Sequence, residues 1–175
     1  MKKRTTRKIL EINLSRNSPL QTHGFILWLH NVRSLHNVGA AFRNADAFGV
    51  SEIYLSGYTP TPPRPEITKT AIGAEEHVAW SQIADPIKTI RHLKNDGYKI
   101  LGLEQTNQSF LLSDYTPEEK KLCLILGNEV TGIDDELIPH LDDAVEIPQF
   151  GTKHSLNVSV ASGVALYGFL QKLSR

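Results

Sequence analysis

The sequence predicts an α/β domain with a mainly parallel sheet. Two observations carry this reading. Short apolar runs alternate with helix-period segments along the whole chain. Polar turns follow several of those runs directly, where open α/β sheets place their ligands, beyond the carboxyl ends of the strands. A length of 175 residues suits one domain with a real core.

The elements read in order as follows. Residues 25–30, Phe-Ile-Leu-Trp-Leu-His, form an apolar run of strand length, as expected for a strand buried on both faces. Residues 35–48 are Ala-rich, with Ala41, Ala45 and Phe48 at helical spacing, and Gly49 is placed to end a helix. Residues 52–56 read as the next strand. Four prolines between Gly57 and Glu66 make a stiff loop, not a domain linker, because regular patterns resume on both sides. Residues 69–76 read as a short helix and 77–80 as a short strand. Asp85-Pro86 opens another helix, which runs to about Asn95 with Gly97 beyond its end. Residues 98–104, 121–126 and 144–147 read as strands. One long helix is expected from about Ser155 to Leu173.

Composition narrows the function classes. Hydrophobic residues make up 40% and charged residues 22%, which is ordinary for a globular protein. No apolar run approaches the roughly 18–20 residues that span a bilayer. The start of the chain is too short in apolar residues and too charged for a signal peptide, so a cytoplasmic protein without membrane association is expected. Cys123 is the single cysteine, which leaves no internal disulfide; within Leu122-Cys123-Leu124 it reads as a small buried hydrophobe. No metal-ligand spacing appears among the seven histidines. Formal net charge is zero, so total charge gives no sign of a nucleic-acid partner. Lys2, Lys3, Arg4, Arg7, Lys8 and Arg16 nevertheless cluster near the start, either as a solvated tail or as an RNA-contacting arm.

Three segments carry the chemistry, each just after an expected strand. In the first, residues 31–43, Asn37 lies near a helix start, Gly39 permits close backbone approach, and Arg43 offers a permanently charged planar fork suited to phosphate. An Asn cap and a solvent-facing Arg would explain the same residues. In the second, residues 126–133, Gly127 and Gly132 flank Asn128-Glu129. The two glycines have P-loop spacing, but Ile133-Asp134 follows where Lys and Ser or Thr are required, so a nucleotide triphosphatase is excluded. No G-x-G-x-x-G exists for a dinucleotide. A tight turn with a capping carboxylate is the plain alternative. In the third, residues 147–163, Ser155, Asn157 and Ser159 are poor helix-interior choices, which implies use of their side chains or of nearby backbone amides. His36 and His154 flank these segments; either could contact an RNA phosphate, and surface or capping residues are the plainer reading.

Together these segments resemble the SpoU/TrmH branch of the SPOUT RNA methyltransferases. The first family motif matches Asn37 and Arg43, followed by Ala45-Asp46-Ala47-Phe48-Gly49-Val50. The second matches Gly127-Asn128-Glu129 and Gly132. The third matches Ile147-Pro148, Gly151 and Ser155-Leu156-Asn157-Val158-Ser159, and Leu103-Glu104-Gln105-Thr106 is similar to the family's cofactor-side loop. The resemblance covers about residues 25–170.

It implies an α/β knot, with the C-terminal segment threaded as a deep trefoil, against the general rule that chains avoid knots. It implies a methyltransferase domain over 25–175 preceded by a basic extension over 1–24, with the separate RNA-binding domain of longer relatives missing. S-adenosylmethionine would be the cofactor, held by Leu103, Glu104, Gly127, Asn128, Ile147 and Leu156. The reaction would be transfer of its methyl group to a ribose 2′-hydroxyl of RNA, tRNA before rRNA, by a homodimer without metal. Arg43 would hold the target phosphate and stabilise the emerging oxyanion, a phosphate oxygen taking the proton. Asn37 and Ser155 would position the ribose or Arg43, Glu129 would pair with Arg43, and Asn157 would shape the third motif. The alternative is a non-catalytic RNA-binding or assembly factor that kept the knotted fold.

Overall fold

At the centre of the sheet lie two strands, β1 (Ile26–His30) and β6 (Leu122–Leu126), in which every residue is buried. Only strands covered on both faces can be so uniformly buried. The computed structural model describes residues 1–174. Around the central pair the chain adds α1 (Thr6–Leu14), α2 (Pro19–Thr22), α3 (Leu35–Phe48), β2 (Glu52–Ser56), α4 (Pro65–Ala71), β3 (Trp80–Ile83), α5 (Pro86–Asn95), β4 (Lys99–Leu103), β5 (Phe110–Leu111), β7 (Asp143–Glu146) and α6 (Val158–Leu173). The sheet order is β3-β2-β1-β6-β4-β7-β5, and every pairing is parallel. The expected α/β class is therefore the observed one.

Alternation along the strands divides the core in two. Leu27, Leu29, Leu124 and Leu126 face a layer containing Val38 and Phe42 of α3, Ile67 of α4, and Leu166 and Phe169 of α6. Ile26, Trp28, Cys123 and Ile125 face the other layer, with Ile90 and Leu93 of α5. Burial pushes the Cys123 thiol far above its ordinary value, in keeping with its reading as a small hydrophobe.

Helix ends follow local chemistry. Ser34 caps α3 by accepting from Asn37 N at 3.3 Å, and Gly49 closes it in the left-handed conformation at φ 68°. The cap is thus Ser34, and Asn37 sits inside the first turn with its amide free for other work. Asp85 caps α5 by accepting from Lys88 N, with Pro86 in the first turn.

Four expectations shift. The helix read at 69–76 is α4, begun earlier by Pro65 and ended at Ala71 by Ile72 at φ 54°, followed by a separate 3-10 turn at Ala74–Glu76. The strand read at 77–80 is β3 at 80–83. No β3 residue is fully buried, so pairing with β2, not apolar burial, sets its register. β5 escaped notice because it has two exposed residues held by backbone pairing to β7. α6 starts at Val158 rather than Ser155, because Asn157 takes the cap and accepts from Ser159 N at 2.9 Å.

Residues 1–24 divide. No residue of α1 is buried, and Ile9, Leu10 and Leu14 are exposed, whereas Leu20 of α2 is fully buried. Among the described residues no helix is long and apolar enough to cross a membrane.

Gly39 fixes the approach of α4 to α3. A Cβ there would lie 2.1 Å from Thr70 Oγ1 and 2.3 Å from Ile67 O. By helix propensity alone, Gly39→Ala would stabilise α3 by about 1 kcal/mol. We expect the opposite, a loss of about 1–3 kcal/mol from overpacking, read as a lowered urea midpoint; a raised midpoint would show that the two helices are not locked at this point.

Candidate active site

Four loops meet beyond the carboxyl ends of β1, β4, β6 and β7. Strands with sequence numbers as different as 1 and 6 lie side by side there, and such a switch point opens a crevice in an α/β sheet. The crevice is a cavity of about 520 Å³. Its walls come from Leu103, Glu104 and Gln105 after β4, from 126–132 after β6, and from Ile147, Gln149 and 154–156 after β7, with Val158 and Ala161 of α6.

The loop after β6 is a tight hairpin. Asn128 N donates to Gly132 O at 2.9 Å, and Gly132 N donates to Asn128 O at 3.0 Å. Gly132 has φ 72°, and a Cβ on Gly127 would lie 2.1 Å from Gly132 C, so both glycines are required by geometry. The Asn128 side chain builds the turn: its Oδ1 accepts from Val130 N and Thr131 N, and its Nδ2 donates to Asn31 O and Tyr58 OH. Glu104 braces the same turn, accepting from Ile133 N with one oxygen and from Gln105 N with the other. All six residues expected to hold a cofactor line the cavity. The side chains of Asn128 and Glu104 are nevertheless committed to holding its wall.

The three motifs are joined by one relay of side chains. The Glu129 carboxylate accepts from Arg33 N, Ser34 N and Asn37 Nδ2, each at 3.0 Å. Asn37 Oδ1 then accepts from Asn157 Nδ2 at 3.1 Å, and Asn157 Oδ1 accepts from the backbone and hydroxyl of Ser159. Burial alone would raise the Glu129 carboxyl. The donors from Arg33, Asn37 and Ser34 outweigh it and hold the group below its ordinary value of 4.5. Glu129 therefore stands as a carboxylate that organises the turn after β1.

The expected Glu129–Arg43 pair does not form, because the carboxylate oxygens are taken by the turn after β1. Six residues along α3 from Asn37, Arg43 is displaced about 9 Å along the axis and turned by about 240°. It is exposed and lines no part of the cavity. Ser155 does line the cavity and is exposed, with no hydrogen bond to another described residue.

Residues beneath the site were missed by sequence reasoning. Trp28 Nε1 donates to Ser56 Oγ at 2.7 Å, and Ser56 Oγ lies 2.6 Å from His30 Nδ1. His30 Nε2 lies 3.1 Å from Asp134 Oδ2, which also accepts from Asn31 Nδ2 at 2.7 Å. An indole N–H can only donate, so the chain is satisfied when the Ser56 hydroxyl donates to Nδ1 and a neutral imidazole donates from Nε2. This network holds Asn31 at φ 58°, where the chain turns from β1 into the first motif. The only sequence signal was an Asn directly after a strand, a residue type that tolerates this conformation.

The model of the SpoU rRNA Methylase family matches residues 24–167. The chain belongs to the SpoU family. It is 33% identical over 145 residues to a tRNA (guanosine(18)-2′-O)-methyltransferase of Aquifex aeolicus, covering 81% of this chain and 66% of the relative. It is also 33% identical over 141 residues to the 23S rRNA (guanosine-2′-O-)-methyltransferase RlmB of Neisseria meningitidis, covering 81% and 56%. The chain thus spans 56–66% of the length of these two curated relatives. Among solved structures, the A. aeolicus TrmH/SpoU tRNA modifying enzyme superposes with a TM-score of 0.79 at 26% identity, over 95% of this chain and 83% of that one. An AdoMet-bound rRNA methyltransferase from Sinorhizobium meliloti gives 0.77 at 26% identity, over 94% and 69%.

In this SpoU chain the Glu129 relay sets a pH dependence. A carboxyl held low in the folded state stabilises fully above its unfolded value near 4.5 and loses that contribution as pH falls through the folded value. We expect wild type to exceed Glu129→Gln in stability by about 1 kcal/mol at pH 7. The difference should shrink as the solution is acidified below about 4.5. A pH-independent difference in chemical denaturation would remove the carboxylate from the relay.

Proposed function

We propose that this chain transfers a methyl group from S-adenosylmethionine to a ribose 2′-hydroxyl of RNA. The observation that carries the reading is the Glu129–Asn37–Asn157 relay, which draws three distant motifs onto the rim of one cavity. The relatives' names support it: one acts on tRNA and another on 23S rRNA, and a structural neighbour is AdoMet-bound. A tRNA loop is the substrate favoured here, and rRNA is the second.

The cavity fits the cofactor. Its volume lies within the roughly 300–1,000 Å³ of small-molecule sites. Leu103, Leu126, Ile147 and Leu156 offer apolar surface for an adenine, and Gln105, Thr131, Gln149 and Ser155 offer polar atoms for the sugar and amino-acid parts. When bound, S-adenosylmethionine supplies a methyl group that is already strongly electrophilic. The chain's own task is then geometry and the handling of one proton. The relay fixes the rim against which the ribose rests. Ser155, with its hydroxyl uncommitted, is placed to hydrogen-bond the ribose. A guanidinium keeps its proton and cannot serve as a base, so Arg43 acts by stabilising the emerging oxyanion while a phosphate oxygen of the RNA takes the hydroxyl proton.

Arg43 lies outside the cavity of its own chain, which makes a second copy part of the proposal. Val160, Val164 and Tyr167 form an exposed apolar stripe along α6, with Tyr167 packed against Phe48 of α3 at 6.2 Å between ring centroids. In the proposed pair this stripe would be buried, and Arg43 would serve the cavity of the second copy. The family reading also includes the trefoil threading of the C-terminal segment. A bond from Gln105 Nε2 to His154 O at 2.9 Å ties the loop after β4 to the loop after β7. The cytoplasm is the compartment proposed.

Two outcomes are expected. Isothermal calorimetry should register S-adenosylmethionine binding to the purified protein; no heat of binding would favour a non-catalytic RNA-binding role. Arg43→Ala should lower methyl transfer by about 100-fold or more while cofactor affinity stays unchanged. Full transfer by a folded Arg43→Ala variant would remove Arg43 from the mechanism.

A further inference from the structure

A second concavity adjoins the first. A groove of about 430 Å³ is lined by Arg33, Ser34, Asn37, Glu129 and Val130. Glu129 and Val130 line the larger cavity as well, so the two share a wall. A ribose presented to the cavity carries a phosphate on either side, and this groove is the concavity that shares a wall with the cavity.

Arg33 is its one arginine or lysine. The side chain is exposed and takes part in no ion pair or hydrogen bond among the described residues; the same holds for exposed Arg43 and Arg91, so its place in the groove is what sets Arg33 apart. The nearest carboxylate that the turn offers, Glu129, is occupied by backbone and amide donors, including Arg33's own N–H. The residue is therefore held by its backbone while its guanidinium is left without an anion. An unpaired bidentate donor carried on an anchored backbone is suited to gripping a phosphate.

We infer that Arg33, not Arg43 of the same chain, holds the phosphate of the nucleotide presented to the cavity. The inference rests on the RNA reading above, and it divides the labour: Arg33 binds the backbone and Arg43 acts at the reacting oxygen.

The experiment measures RNA affinity directly, by filter binding over a range of salt concentrations. Its probes are unfractionated tRNA and, separately, deproteinised ribosomal RNA. Arg33→Ala removes no backbone donor from Glu129, so the fold is retained, and equal melting temperatures verify that. Arg91→Ala is the comparison, since Arg91 is an exposed cation on α5, across the sheet from α3. With at least one RNA, Arg33→Ala should weaken binding about tenfold and reduce the salt slope by about 0.7–1, with Arg33→Lys intermediate and Arg91→Ala at wild-type affinity. S-adenosylmethionine affinity should be the same in all four proteins. Unchanged binding of both RNAs by Arg33→Ala, or equal losses in Arg33→Ala and Arg91→Ala, overturns the inference. If Arg33 governs RNA affinity and the protein transfers no methyl group, the groove stands and the methyltransferase reading falls. If wild type binds neither RNA, both fall.

Discussion

A single carboxylate bound by two amides and a side chain holds the site together. Glu129 comes from the hairpin after β6, and its donors come from the turn after β1. Three charge-assisted bonds to one partly buried carboxylate are strong for their number, and they act across two loops that no backbone pairing joins. Through Asn37 the constraint passes to Asn157, the residue that starts α6. Without Glu129 the first-motif turn would keep its helix cap but lose its anchor to the cavity rim.

The relay stands on a rigid floor. β1 and β6 are buried throughout, and the Trp28–Ser56–His30–Asp134 network sits under the point where the chain leaves β1. Every polar group in that network has a partner, so it adds order at little desolvation cost. The backbone of the site is thus set in advance, and only exposed side chains such as Arg33 and Ser155 are left to adjust.

Much of this was legible in the sequence. The buried strands announced themselves as continuous apolar runs, and α3 and α5 announced their ends through Gly49 and Asp85-Pro86. The motif positions also located the cavity, since the expected cofactor residues all line it. What escaped was decided by partners far off in the chain. β3 and β5 depend on pairing with a neighbouring strand, and no buried side chain marks either. The partner of Glu129 was misread because its true donors are mostly backbone amides, which no residue letter records. His30 and Asp134 lie 104 positions apart, with nothing local to link them. Arg43 carried the resemblance, yet helix geometry turns it away from the cavity of its own chain.

Asn157 and Asn37 close the relay across 120 positions of sequence. The rim is therefore complete only when both segments have folded against each other. A chain cut before the cap of α6 would lose Asn157 and, with Leu166 and Phe169, part of the core beside α3. Completion of the rim and completion of the core are thus the same event.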